Sequence, residues 1–237
     1  MKKILVLGAG AMGSAFTVPC LDNENTVSLI GTHLEDKFID QLIQNDNFHP
    51  VLNCKLSSKL KLRKFEKFAE EFKEKPNLII LGVNSKGIDW AGKEISKYYS
   101  SEIPILLLTK GLTVINNQYE TIAEKLKQIL EKNGSKKPNI SAVGGPCLAA
   151  GLANRIRSSV VLANQNIEIV KSIGKIIATN YYSTEISNDL VGVEVCAAVK
   201  NIYSMIIGAS KGLCSSSATE EVKNKNYLNT AASLMYQ

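Results

Sequence analysis

Three glycines early in the chain, Gly8, Gly10 and Gly13, stand between the β-rich apolar run KKILVL and the helix-like stretch AMGSAFTVPCLD. This Gly-x-Gly-x-x-Gly spacing constrains the fold more than any other feature. The first glycine permits a tight turn, and the second lets backbone approach a pyrophosphate. The third allows a helix to pack closely on the strand, with its N-terminus facing negative charge. The motif is weak alone, but TVSLIGT follows as a second strand at the distance a β-α-β unit requires.

The alternation continues along the chain. NLIILGV and IPILLLT are continuous apolar strands of the kind covered on both faces, and NISAVG, SSVVLA and YYSTEIS are shorter strands. Between them, LEDKFIDQLIQN sets Leu34, Phe38, Leu42 and Ile43 at helical spacing, and RKFEKFAEEFKEK does the same with Phe65, Phe68, Ala69 and Phe72. Further helices are predicted at GIDWAGKEISKYY, at YETIAEKLKQILEKNG with a stop at Gly134, and at IEIVKSIGKIIAT. The expected fold class is α/β, a doubly wound, mostly parallel Rossmann-type sheet over residues 1–187. From 188 to 237 only helix is expected, with a Ser-rich break at CSSSATEE, which reads as the start of an incomplete all-helical domain.

Composition removes several function classes. The 28 basic and 22 acidic residues leave a net charge of +6, but no basic stretch is interleaved with aromatics, so a solvated lysine-rich surface is expected and no nucleic acid partner. Five scattered cysteines without a C-x-x-C pair, and only two histidines, argue against a disulfide framework, a metal site or a Ser/His hydrolase. Reduced thiols in a cytoplasmic protein are the expectation. The apolar N-terminus is broken by glycines, unlike a secretory leader. The stretch 191–209 is read as too polar to span a bilayer, because it contains Glu194, Lys200 and Asn201.

Candidate binding residues gather at predicted strand ends. LIGTHLEDK has no acid at the strand tip, since Glu35 and Asp36 lie beyond it. Such a site admits a 2′-phosphate near Thr32, His33 or Lys37, so of NAD and NADP the reading favours NADP. His33 equally fits an exposed loop, and His49 a structural or solvent-exposed position. Lys110 in LLLTKGL falls just past a buried strand, and Gly144, Gly145 and Pro146 follow another. Lys200 sits amid VGVEVCAAVKNIYSMIIGA, sharing a helical face with Cys196, Ala197, Tyr203 and Ser204. An ammonium there is costly unless paired, neutralised or used; the alternative is a side chain that snorkels to water.

In their order, GAGAMG, LGV with Asn84 and Ser85, TKGL, GGPCLAAGLA, VGVEVCAAVKNIYSMIIGASKGL and NTAASL resemble the NAD(P)-dependent glycerol-3-phosphate dehydrogenase family, and IGTHLED followed by HP is similar to its archaeal-type branch. The resemblance covers essentially the whole chain. It implies reversible NAD(P)H-dependent reduction of dihydroxyacetone phosphate to sn-glycerol 3-phosphate, with Lys200 as general acid or base and Lys110 as a second active-site lysine touching substrate and cofactor. It further implies substrate contacts at Gly145 and Cys147, and cofactor contacts at Gly8, Gly10, Ala11, Met12, Gly13, Thr32, His33, Asn84 and Ala149. The family more often has Ser or Thr at 147, and often Ser and an aromatic at 11 and 12. Glu194 and Asn201 match its motif as either supports of the site or packing groups. A homodimer is expected.

The family's later Asp and Arg-Asn residues have no counterpart before Gln237, and the chain reaches that residue without a helix stop, so a fragment of a longer protein is expected. Two alternatives stand beside this reading: another β-hydroxyacid or ketopantoate-type dehydrogenase, and a non-catalytic dinucleotide-binding module.

Overall fold

The computed structural model describes residues 1–115 and 117–213. Cys214, the CSSSATEE break, NTAASL and the remainder of the expected helical domain to Gln237 lie outside the described residues. In chain order the elements are β1 (Lys3–Leu7), α1 (Ala11–Asp22), β2 (Thr26–Ile30), α2 (Asp36–Gln44), β3 (Phe48–His49), β4 (Cys54–Lys55) and β5 (Lys61–Arg63). Next come α3 (Phe68–Lys73), β6 (Leu78–Leu81), α4 (Ile88–Ser96), β7 (Ile105–Leu107), β8 (Leu112–Ile115), β9 (Gln118–Thr121) and α5 (Ile122–Lys132). The last are β10 (Ile140–Gly144), α6 (Ala149–Ala153), β11 (Ser158–Ala163), α7 (Ile167–Ile177), β12 (Tyr182–Ser187) and α8 (Leu190–Leu213).

Eight strands form one sheet in the order β12-β11-β10-β7-β6-β1-β2-β5. Every neighbouring pair is parallel except β10 with β11. The central strands are apolar on both faces because both are covered. Ile4 and Val6 point into a core with Phe16 of α1, Ile39 of α2 and Ile173 of α7, whereas Leu5 and Leu7 point into a core with Phe68 of α3, Ile88 of α4 and Leu126 of α5. This is the doubly wound, mostly parallel architecture that the alternation implies.

Some expectations are corrected. On α2 the expected Leu42 is buried and Phe38 packs on the core, with Ile39 buried beside them, but Leu34 and Ile43 are exposed: Leu34 lies before the helix, which begins at Asp36, and Ile43 falls on its outer side. The stretch beginning YET opens as strand, because β8 and β9 pair antiparallel; α5 starts after Thr121, whose hydroxyl accepts a bond from Glu124 N at 3.2 Å. Thr121 therefore opens a capping signal, Thr-x-x-Glu, that ends at Glu124. Two further short strands, β3 and β4, form their own ribbon.

Contacts divide the chain into Met1–Val195 and a second unit from Cys196, so α8 begins in the first and continues into the second. By length and composition alone α8 is long and apolar enough to cross a bilayer, its most apolar 18-residue stretch having mean hydropathy 1.6. Its first turns are tied to the sheet unit through Glu194, which is 4% exposed and accepts a hydrogen bond from Ala123 N at 3.0 Å. Glu194 thus serves an N–H of the first turn of α5 that has no partner within that helix.

Burial pushes the Glu194 carboxyl above its ordinary 4.5, against the opposing Ala123 N–H, Thr121 hydroxyl and Ile122 N–H. The folded state therefore keeps a proton that the unfolded chain releases, and this group's contribution falls as pH rises from 4.5 through the folded value. Glu194→Gln keeps an acceptor for Ala123 without the charge. In thermal melts it is expected to unfold at a higher temperature than wild type at about pH 8, with the difference gone below about pH 4.

Candidate dinucleotide and substrate site

The glycine loop is shaped by backbone meeting backbone. Gly8 has φ +107° and donates its N–H to Ile30 O at 2.8 Å. A Cβ at Gly13 would fall 2.1 Å from Gly8 O, whereas one at Gly10 would meet nothing within 4 Å. Gly10 therefore faces open space above the N-terminus of α1, a helix with no side-chain cap and no acid in its first turn. The arrangement fits a pyrophosphate: unclaimed N–H groups, the positive end of a helix dipole, and room for the ligand against Gly10.

Ala9, between the first two glycines, is held at both ends. Its N–H donates to Glu35 Oε2 at 3.0 Å, and its carbonyl accepts from Ser14 Oγ at 2.9 Å. His49 is buried, with Nδ1 accepting from Leu52 N at 3.2 Å. Burial pushes its imidazole down from the ordinary value, with the Ala9 and His49 backbones opposing. His49 is thus structural rather than solvent-exposed.

At the tip of β2, Thr32 N donates to the same Glu35 Oε2 at 2.7 Å. Glu35, which precedes α2 and lies beyond the strand in sequence, thus reaches back so that one carboxylate oxygen accepts from both Ala9 N and Thr32 N. Asp36 turns elsewhere and accepts from Phe65 N at 3.2 Å. His33 is exposed, and its ring lies 4.5 Å from that of Trp90, which in turn lies 4.9 Å from Phe65.

Further along the carboxyl edge of the sheet, the buried Thr109 hydroxyl donates to Val83 O at 2.6 Å and ties the ends of β6 and β7 together. Lys110 follows directly and is half-buried. The Asn84 side chain accepts from Gly87 N at 3.0 Å, so one of its polar atoms serves the following turn. Gly145 has φ +139°, and its carbonyl accepts from Cys147 N at 3.0 Å. Met12, Phe16, Lys110, Gly145, Cys147 and Tyr182 line one narrow cleft. Ala149 opens α6 and packs beside Ala11 and Met12 against the same core.

Burial pushes the Cys147 thiol up, and a bond to Ser158 and the charge of Lys110 only partly offset this. Cys147 is therefore a neutral lining group at pH 7, not a thiolate. A wider groove of about 500 Å³ lies along Glu124, Lys127, Asn164 and Asn166, but it contains none of the expected site residues.

The structure thus gathers the glycine loop, Thr32, Asn84, Lys110, Gly145, Cys147 and Ala149 along one edge of the sheet unit. Lys200 and Asn201 belong to the second unit, where Lys200 is half-buried on α8 and its carbonyl accepts from Ser204 Oγ at 3.3 Å.

A doubly wound sheet with this loop at its carboxyl edge defines the class: a dinucleotide-binding α/β protein. Residues 3–170 match the family described as NAD-dependent glycerol-3-phosphate dehydrogenase N-terminus, and the chain belongs to that family. It is 30% identical over 97% of its length to an NADP(+)-dependent glycerol-3-phosphate dehydrogenase of Archaeoglobus fulgidus, covering 66% of that protein. A glycerol-3-phosphate dehydrogenase [NAD(P)+] of Bacillus pumilus is 28% identical over 90% of the chain, which covers 59% of it. The chain therefore spans roughly three fifths to two thirds of the length of these relatives. The fold is shared with a glycerol-3-phosphate dehydrogenase structure from Plasmodium falciparum, with TM-score 0.75, 20% identity, and coverage of 97% of this chain and 63% of that one.

The loop geometry separates two glycines experimentally. Gly10→Ala is expected to unfold within a few degrees of wild type, yet to lose at least about tenfold in dinucleotide affinity, because its methyl occupies ligand space. Gly13→Ala drives a methyl onto a backbone oxygen and is expected to destabilise the fold itself. Thermal melts beside dinucleotide titrations distinguish the two outcomes.

Proposed function

We propose that the chain acts as a glycerol-3-phosphate dehydrogenase, interconverting dihydroxyacetone phosphate and sn-glycerol 3-phosphate with NAD(P)H and NAD(P)+. The observation that carries this reading is the cleft where Lys110, Gly145 and Cys147 meet Met12 of the dinucleotide helix, in a member of this family.

On this reading the backbone of Gly8, Gly10, Ala11, Met12 and Gly13 would hold the pyrophosphate at the start of α1. Thr32 and His33 would border the adenosine ribose, with Asn84 and Ala149 as further cofactor contacts. When bound, the nicotinamide supplies the hydride that adds to C2 of the ketone, or accepts it in the reverse direction. Negative charge grows on the C2 oxygen as the carbonyl is reduced. Lys200, as general acid, donates a proton to that oxygen, and in the oxidation direction its neutral amine takes the proton back. Lys110 lines the cleft, and its ammonium would attract the anionic substrate. Gly145 and Cys147 give the substrate a wall of backbone and neutral thiol. A homodimer in the cytoplasm is part of the same proposal.

The test is the loss of NADPH or NADH absorbance on adding dihydroxyacetone phosphate. Lys200→Ala is expected to lower kcat by roughly 10²–10⁴-fold with dinucleotide binding retained, and Lys110→Ala to raise KM for the phosphorylated ketone. Wild-type turnover in Lys200→Ala removes that lysine from its assigned role. No turnover by the wild-type protein, with dinucleotide bound, favours a binding module.

A further inference from the structure

We propose that a pocket at the end of α1 remote from the glycine loop is a second anion site, which takes a small phosphate-bearing ligand. The pocket has a volume of about 380 Å³, inside the ~300–1,000 Å³ range of small-molecule sites. Asp22, Lys55, Ser57, Ser58 and Arg155 give it a polar lining, with Leu56 on its apolar side. It shares no residue with the cleft around Lys110. The 12 residues of α1 separate it from the dinucleotide loop by ~18 Å at 1.5 Å each. The inference is independent of the catalytic reading above.

Arg155 is the fixed part of this pocket. It follows α6 in the left-handed region, with φ +58°, and its guanidinium reaches the last residue of α1. Nε donates to Asp22 Oδ2 at 2.7 Å and Nη2 to Asp22 Oδ1 at 2.9 Å. Tyr181 donates its hydroxyl to the same Oδ2 at 2.6 Å, so the carboxylate that orients the fork is itself held. Nη1 and the second Nη2 hydrogen have no hydrogen-bond partner among the described residues, which leaves them to an incoming anion. Lys55 brings a second cation from β4. Its partner Asp46 is exposed and lies outside the pocket lining, and such a surface pair is weak enough for an anion to compete for the ammonium. Lys55 and Arg155 against Asp22 leave the lining with one positive charge in excess. Ser57 Oγ accepts from Lys59 N at 3.2 Å, so its O–H can donate to a ligand, and Ser58 adds a second hydroxyl. Two cations, one of them a planar fork, beside two hydroxyl donors match the several oxygens of a phosphate group.

Amide NMR spectra recorded during titration with inorganic phosphate test the site, with sodium chloride at matched ionic strength as the control. The Ser57 and Ser58 amides are expected to shift and saturate with phosphate and to stay in place with chloride. Lys55→Gln and Arg155→Gln are each expected to weaken that response by about tenfold, the effect of losing one charge-assisted bond. Arg155→Gln also gives up the fork to Asp22, so thermal melts check its folding. Lys55 pairs only at the surface, and Lys55→Gln carries the test if the other variant unfolds. Glycerol 2-phosphate distinguishes the two sources of the group. Saturation at least as tight as with inorganic phosphate, with added shifts at Leu56, identifies a phosphate monoester, and weaker saturation identifies the free ion. Shifts that fail to saturate, that chloride reproduces, or that persist at full strength in folded Lys55→Gln overturn the inference. The dinucleotide and substrate readings are untouched by that result.

Discussion

Gly8, Gly13 and Gly82 meet at the carboxyl edge of the sheet with no side chain between them. A Cβ on Gly82 would lie 3.0 Å from Gly13 Cα, and one on Gly8 would lie 2.9 Å from Gly82 C and O. This approach lets α1 rise directly from β1 and run beneath a roof of core residues, with eight consecutive positions, Gly13 to Cys20, buried. It also fixes where the N-terminus of α1 points. Because the sheet edge and the helix end converge there, the open space at Gly10 becomes a site and not merely a turn.

Around that contact the loops are held by side-chain bonds to backbone rather than by burial alone. Glu35 and Ser14 hold the two ends of the Ala9 peptide unit, Thr109 joins β6 to β7, and Asn84 closes the turn after β6. Each neutral bond of this kind contributes about 1 kcal/mol net, and those to a carboxylate about 1.5–3 kcal/mol. These energies are small beside the burial of the central strands. They decide loop shape more than whether the chain folds, and loop shape is what a ligand meets. Glu71 plays the corresponding part in the interior: it accepts from Ser28 Oγ at 2.8 Å and pairs with Lys3 and Arg63, each at 3.4 Å, so β1, β2 and β5 share one buried carboxylate.

The apolar helix α8 carries two charged residues with different situations. Glu194 is spent on structure, serving the first turn of α5 from inside the sheet unit. Lys200, six residues further on, is half-buried, and its carbonyl accepts from Ser204 Oγ within the same helix.

Much of the architecture is legible in the residues themselves. Ile4–Leu7, Leu78–Leu81 and Ile105–Leu107 are continuous apolar runs because strands covered on both faces have no polar side to show. The glycine spacing carries its own geometry, and Lys110 and Gly145 read as edge residues because each follows such a strand. What the residues did not disclose is non-local. The antiparallel β11 and the β8–β9 ribbon depend on which strand edges meet. Glu35 most of all needed the tertiary structure. Its sequence position puts it past the strand tip, and only the close packing of α2 over Gly31 returns its carboxylate to the amides of Ala9 and Thr32. Periodicity and glycine spacing are local properties that a chain displays in its order of residues, whereas the reach of a side chain across a turn is set by how two elements pack.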